Sequence, residues 1–148
     1  MPSFLPHDAD FATRIRASFG RQQMMRTLGA ELRAVRPVEV EIWLPFQDAL
    51  TQQHGYLHAA AVTAIVDSAC GYAALTLMAP GLEVLTVEFK LNLMAPAAGD
   101  RFSARGRVLR PGRTLTVCAG EVWSETDGAR AAVAAMQATL IAVDAPGG

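Results

Sequence analysis

Apolar residues along this chain fall into two rhythms separated by one long block. From Asp8 to Leu28, Phe11, Ile15, Phe19, Met25 and Leu28 recur at helical spacing, with Arg14, Arg16, Arg21 and Arg26 set between them. The pattern predicts an amphipathic N-terminal helix, with Asp8 as its cap and Gly20 as the point of any break. Such a helix either lids a pocket or packs on the core, and packing is the simpler reading. From Ala30 to Arg36, and then through Val38, Val40, Ile42 and Leu44 against Glu39, Glu41 and Trp43, the rhythm drops to two. That predicts two strands ending at Pro45.

A loop from Phe46 to Leu57 leads to the block itself, His58 to Met78. It is rich in Ala and carries a single carboxylate, Asp67. It is too long for a strand and apolar on most sides, so it reads as a central, buried helix. A membrane span is a poor alternative, because a central Asp costs about 2.5 to 3.5 kcal/mol on insertion and the many small residues return little.

Beyond Ala79-Pro80-Gly81 the period of two resumes. Leu85, Val87, Phe89, Leu91 and Leu93 alternate with Thr86, Glu88, Lys90 and Asn92, which predicts a strand with one core face. Arg101 to Arg110, Thr114 to Glu125 and Ala129 to Val143 read as three more, joined by turns at Arg110-Pro111-Gly112-Arg113 and Asp127-Gly128. The alanines of the last segment favour helix, but the tight turn before it and Thr139-Leu-Ile-Ala-Val favour strand. The order predicts an α+β fold in which a curved antiparallel sheet wraps around a long central helix.

Composition narrows the picture. With 148 residues, 51% hydrophobic and a net charge of −1, the chain fits one domain over 1–148, with an N-terminal helix at about 8–28 and a core at about 30–143. The charge balance gives no long-range attraction to nucleic acid or an anionic membrane. Cys70 and Cys118 lack CxxC spacing, so neither a disulfide framework nor a metal site is expected. The opening Met-Pro-Ser-Phe-Leu-Pro-His-Asp lacks the pattern of a secretory signal, and a cytoplasmic location is the expectation.

Candidate chemistry centres on Asp67, because an ionised carboxylate is costly to bury without partners. Helical spacing gives it small neighbours, Ala60, Thr63, Ala64, Cys70, Gly71 and Ala74, and puts Val62, Ile65, Ala69 and Tyr72 on an opposite, core face. A groove of that kind admits a slender ligand or another backbone. At the other end, His58 begins the helix, where the amides of Ala59 and Ala60 lack intrahelical partners and suit a carbonyl oxygen gaining negative charge. His58 and Asp67 stand about 180° around the helix and roughly 13 Å along it from one another. A site using both therefore lies between two subunits.

The run Gln52-Gln-His-Gly-Tyr-Leu-His-Ala-Ala-Ala-Val-Thr-Ala-Ile-Val-Asp67 resembles the signature of the PaaI-type hotdog-fold acyl-CoA thioesterases. Leu85-Thr-Val-Glu-Phe-Lys-Leu-Asn-Leu-Met-Ala-Pro and Arg107-Val-Leu-Arg-Pro-Gly-Arg-Thr resemble later segments of the same family. The resemblance implies a hotdog fold, a homodimer that pairs into a tetramer, and hydrolysis of acyl-CoA at the subunit interface. Coenzyme A is then part of the substrate, and no cofactor is required. By position, Asp67 would be the general base or nucleophile, the Ala59 amide would polarise the thioester carbonyl, and Gln52 would hold that carbonyl or the attacking water. Thr86 would help place the water, and His58 would orient the helix start. Gly55, Lys90, Arg110 and Arg113 are the candidates for binding substrate, the three cations for the nucleotide end. Two departures stand out: the family's Gly-Gly is Ala59-Ala60, and its Asn is Gln52. They make a non-catalytic acyl-CoA-binding module the rival reading, while Tyr at position 72 disfavours a hydratase.

Overall fold

A computed structural model describes residues 4–147. Two short helices, α1 (Phe11–Arg21) and α2 (Gln23–Leu28), precede strands β1 (Glu31–Arg36) and β2 (Glu39–Pro45). The central helix α3 (Ala59–Leu75) follows, and then β3 (Leu82–Leu93), β4 (Arg101–Arg110), β5 (Leu115–Thr126) and β6 (Ala129–Asp144). All six strands form one antiparallel sheet in the order β1-β2-β4-β5-β6-β3, with α3 packed on its inner face. This is the sheet wrapped on a helix that the sequence predicts.

The inner face of β2 places Val40, Ile42 and Leu44 in the core, while Glu39, Glu41 and Trp43 point outward to Arg105 and the other strand arginines. Arg33 and Arg101 stack on opposite flanks of the outward Trp43 ring, and Arg101 pairs with Glu125 at 2.7 Å. The strand arginines thus belong to a solvated sheet face.

α3 lies unusually close to the sheet because Gly106 and Gly120, a cross-strand pair of β4 and β5, sit beneath it. A Cβ on Gly106 would collide with the Ala69 carbonyl, and one on Gly120 would meet Val66 and come within 2.9 Å of the Cys70 sulfur. Cys118 donates to the Cys70 carbonyl oxygen at 3.5 Å, and burial pushes both thiols up, Cys118 to about 12. Both cysteines are free core residues.

Three expectations are corrected. The N-terminal helix breaks at Gln22, whose backbone is extended, and Gly20 lies inside α1. Asp8 does not cap α1 with its side chain; Asp10 is the N-cap residue, and Asp8 binds the Asp10 amide and pairs with Arg14. β3 does not have one core face: its pairing with β6 slips between Thr86 and Glu88, so Val87 forms a bulge. Thr86 opposes the buried Leu140 while Phe89 opposes the buried Ala138, so both face inward on either side of the slip. Leu85 therefore faces away from Phe89, opposite to simple alternation.

Candidate active site

The segment from Thr51 to His58 is closed by its own amides. Gln52 accepts from the backbone N–H groups of His54 and Tyr56 through its side-chain oxygen, while its backbone exchanges bonds with Gly55 and Tyr56. Gly55 takes φ +84°, a conformation that glycine adopts without strain, so its role is to turn the loop. With its oxygen committed, the Gln52 side chain keeps its NH2 group as a donor.

His58 is the N-cap residue of α3, and its Nδ1 accepts from the Ala60 amide at 2.8 Å. Only part of the expected pair of free amides therefore survives: the Ala60 N–H is used by His58, whereas the Ala59 N–H has no hydrogen-bond partner among the described residues. Gln52, Tyr56, Ala59, Val62, Leu93, Met94 and their neighbours line a cleft of about 450 Å³ around that amide.

Asp67 opens into a different cleft, of about 410 Å³, between the end of α1, the middle of α3 and the start of β3. Thr86 Oγ1 donates to Asp67 Oδ1 at 2.8 Å, so the structure brings together the predicted acid and its predicted helper. Burial raises the Asp67 carboxyl above its ordinary range, and the Thr86 hydrogen bond opposes that rise. A carboxylate destabilised in this way is a stronger base than an exposed one.

Around Asp67 the helical face differs in part from the spacing argument. Of the predicted small neighbours only Gly71 lines the Asp67 cleft; Ala60 and Ala64 border a separate pocket with Met24 and Leu28 of α2, Thr63 is half-buried, and Cys70 and Ala74 are buried. Tyr72 is buried in the core, as its face predicts, and also borders the Asp67 cleft, where its hydroxyl accepts from Gln22 Nε2 at 3.0 Å and meets Ser18 Oγ at 3.3 Å. Ser68 donates to Gln22 Oε1 at 3.2 Å. Ser18, Arg21, Gln22, Ser68 and Tyr72 were missed as site residues. The available signal was the spacing of Ser18, Arg21 and Gln22 at i, i+3 and i+4, a polar stripe in an otherwise apolar helix face.

The candidate cations do not converge in one chain. Lys90 sits on the outer face of β3 opposite Gln137, and Arg110 lies on β4 with β5 and β6 between them, roughly 14 Å across the sheet at normal strand spacing and further along it, since the row through Lys90 meets β4 at Arg107. Arg113 lines a separate cavity at the other end of α3, with His7 and Met78. Among the described residues, no group of three or more His, Cys, Asp or Glu side chains is placed to hold a metal ion, and no helix is long and apolar enough to cross a membrane.

Residues 54–131 match the family model described as Thioesterase superfamily. Among solved structures, the chain is similar to a thioesterase family protein from Silicibacter pomeroyi, at 50% identity and a TM-score of 0.89 over 91% of this chain and 99% of that one. The PaaI protein of E. coli, from the phenylacetic acid degradation operon, shares the fold at 16% identity, with a TM-score of 0.81 over 90% of this chain and 94% of that one. A curated relative in Saccharolobus solfataricus, named as an esterase, is 32% identical over 74 residues, 50% of this chain. The match spans about half of that relative's length, 52%.

Proposed function

Because the chain belongs to the thioesterase superfamily, in its PaaI-type hotdog branch, we propose that it hydrolyses acyl-CoA thioesters, with each active site shared between two copies. The observation that carries this reading is the separation of the two clefts. Asp67 with Thr86 occupies one, and the free Ala59 amide with Gln52 occupies the other, with no lining residue in common.

β3 joins the two halves. It is an edge strand of the sheet, and Leu85, Val87, Phe89 and Leu93 on it are exposed at 58%, 56%, 43% and 52%. An apolar, unpaired edge is a template for a second chain. Val84, Leu85 and Thr86 border the Asp67 cleft, while Leu93 borders the Ala59 cleft. If two copies of β3 pair antiparallel about their middle, the Thr86 end of one meets the Leu93 end of the other. The Asp67 cleft of each subunit then adjoins the Ala59 cleft of its partner.

In that arrangement the Ala59 N–H and the positive end of α3 stabilise the negative charge that develops on the thioester carbonyl oxygen. The Gln52 NH2 group steadies the same oxygen or the water. Asp67 takes a proton from water as it attacks, or attacks directly to give an anhydride that water then opens; both routes require the ionised carboxylate. Carbon–sulfur cleavage releases coenzyme A as the thiol, and the acyl group leaves as the free acid.

Subunit complementation tests the shared site. Ala59 is the first residue of α3, a position where proline is tolerated, and His58 at φ −63° and ψ 140° already has the backbone that precedes proline. Ala59→Pro therefore deletes one N–H while keeping the helix. Asp67→Asn and Ala59→Pro chains should each be inactive on a panel of acyl-CoAs, and co-expression should restore thiol release through one repaired site per mixed dimer. Failure to restore activity counts against a shared site. Tight binding of acyl-CoA by the wild type without turnover selects the binding module.

A further inference from the structure

Beyond the reacting atoms, the Asp67 cleft continues toward the C-terminal half of α3 and ends on hydrogen-bonding groups. Its far wall is Ser18 and Arg21 from α1 and Gln22 from the break after it, with Ser68 and Tyr72 from α3. From Asp67 to Tyr72 the helix advances roughly 7.5 Å at 1.5 Å per residue. That is room for a short acyl group lying along the helix from the reacting carbonyl.

The wall is an ordered chain. Ser68 donates to Gln22 Oε1, Gln22 Nε2 donates to the Tyr72 hydroxyl, and that hydroxyl shares one hydrogen with Ser18 Oγ. Gln22 is fixed at both ends of its amide, and it is also the residue at which α1 and α2 part. After these bonds the group retains unspent donors: the second N–H of Gln22 and one hydroxyl hydrogen of the Ser18–Tyr72 pair, with the Arg21 guanidinium at the rim. Tyr72 is only 6% exposed and lines the cleft.

We infer that this wall selects short acyl groups whose far end accepts hydrogen bonds, with Tyr72 and Ser18 as the residues that touch that end and Gln22 as the positioning residue that aims Tyr72. A plain alkyl terminus would lay apolar carbon over the donors, and a donor shielded from water without a partner is penalised. The inference rests on the thioesterase reading and adds the acyl class to it.

The test compares hexanoyl-CoA with 6-hydroxyhexanoyl-CoA and adipoyl-CoA, which share a chain length and differ at the far end. The expected result is a kcat/KM on the order of tenfold higher for 6-hydroxyhexanoyl-CoA than for hexanoyl-CoA, the size of one added hydrogen bond. A preference for adipoyl-CoA alone moves the contact to Arg21 and overturns its assignment to Ser18 and Tyr72. In Tyr72→Phe the ratio for the hydroxy compound should fall toward parity, mainly through KM, and Gln22→Met should reproduce much of that fall although it leaves the phenol in place. Turnover of all three at equal kcat/KM, or a preference for the hydroxy compound that survives both substitutions, overturns the inference alone. No turnover of any acyl-CoA overturns the thioesterase reading, and this inference with it.

Discussion

On the side of α3 that meets the sheet, nothing is spare. Gly106 and Gly120 give up their side chains so that Ala69, Cys70 and Val66 can press against the strands. On the opposite side, Asp67 keeps one hydrogen bond from Thr86, and the Ala59 amide has no partner among the described residues. The two ends of the helix repeat the contrast. At the C-terminal end of α3 and in the turn after it, the carbonyls of Leu75, Met78 and Ala79 all accept from the Arg14 guanidinium of α1, at 3.4, 2.8 and 2.9 Å, while the N-terminal end is finished by a single side chain, that of His58. Saturated contacts hold the fold, and unsaturated ones are where chemistry can be done.

Asp67→Asn presses hardest on that division. Thiol release should fall by on the order of 10³-fold or more, while the melting temperature at neutral pH holds or rises. The sign follows from the raised carboxyl: the folded state prefers the protonated form, so Asp67 costs no stability at low pH and costs most once pH has risen above its folded-state value. The stability gain of the Asn variant should therefore be absent in acid and grow with pH through that window, measured by thermal melts across a pH series. A large loss of stability at neutral pH would show Asp67 to be a structural residue.

Ala59→Pro should remove about 10² to 10³ of activity with an unchanged far-ultraviolet spectrum, the effect of losing one oxyanion donor. Gly106→Ala attacks the other side. Its methyl has only backbone to displace, so a loss of about 3 kcal/mol in chemical denaturation is expected. Arg14→Met should cost about 1 to 2 kcal/mol, since it takes the donor from the Met78 carbonyl and a second donor from those of Leu75 and Ala79, and it should loosen α1 in hydrogen exchange before the sheet opens. Thr86→Val has the smallest reach. Without the bond that holds the carboxyl down, the acid limb of the pH–rate profile should move to higher pH, which steady-state rates across a pH series will show.

Most of the architecture was legible because burial writes itself into periodicity. Val40, Ile42 and Leu44 declare β2, and the length and alanine content of residues 58–78 declare α3. The Val87 bulge was not legible, since Leu85 to Leu93 is a faultless alternation and only the pairing with β6 shows where it slips. The break at Gln22 is fixed by bonds to Ser68 and Tyr72 across the fold, which no local signal encodes, whereas Gly20 attracted attention by its residue type alone. The clustering of Asp67 with Thr86 and the distance from Asp67 to the helix start followed from spacing and family resemblance. Tyr72 is a core residue, as its spacing indicates, but spacing could not show that its hydroxyl ends among Ser18 and Gln22 at the cleft wall. Lys90, Arg110 and Arg113 share a charge but not a location, and charge carries no coordinates.

The position of β3 between the two clefts carries one more consequence, for dosage. With the site shared as proposed, a lone chain is an incomplete catalyst, so in dilute solution the rate should rise with the square of protein concentration until dimers saturate. An inactive variant made alongside the wild type would then not poison it. A mixed pair keeps one working site for its one intact chain, the same share as a wild-type pair gives each of its two, so a defect at Asp67 or Ala59 alone would act recessively, and in dilute solution the defective chain would raise the rate by supplying partners.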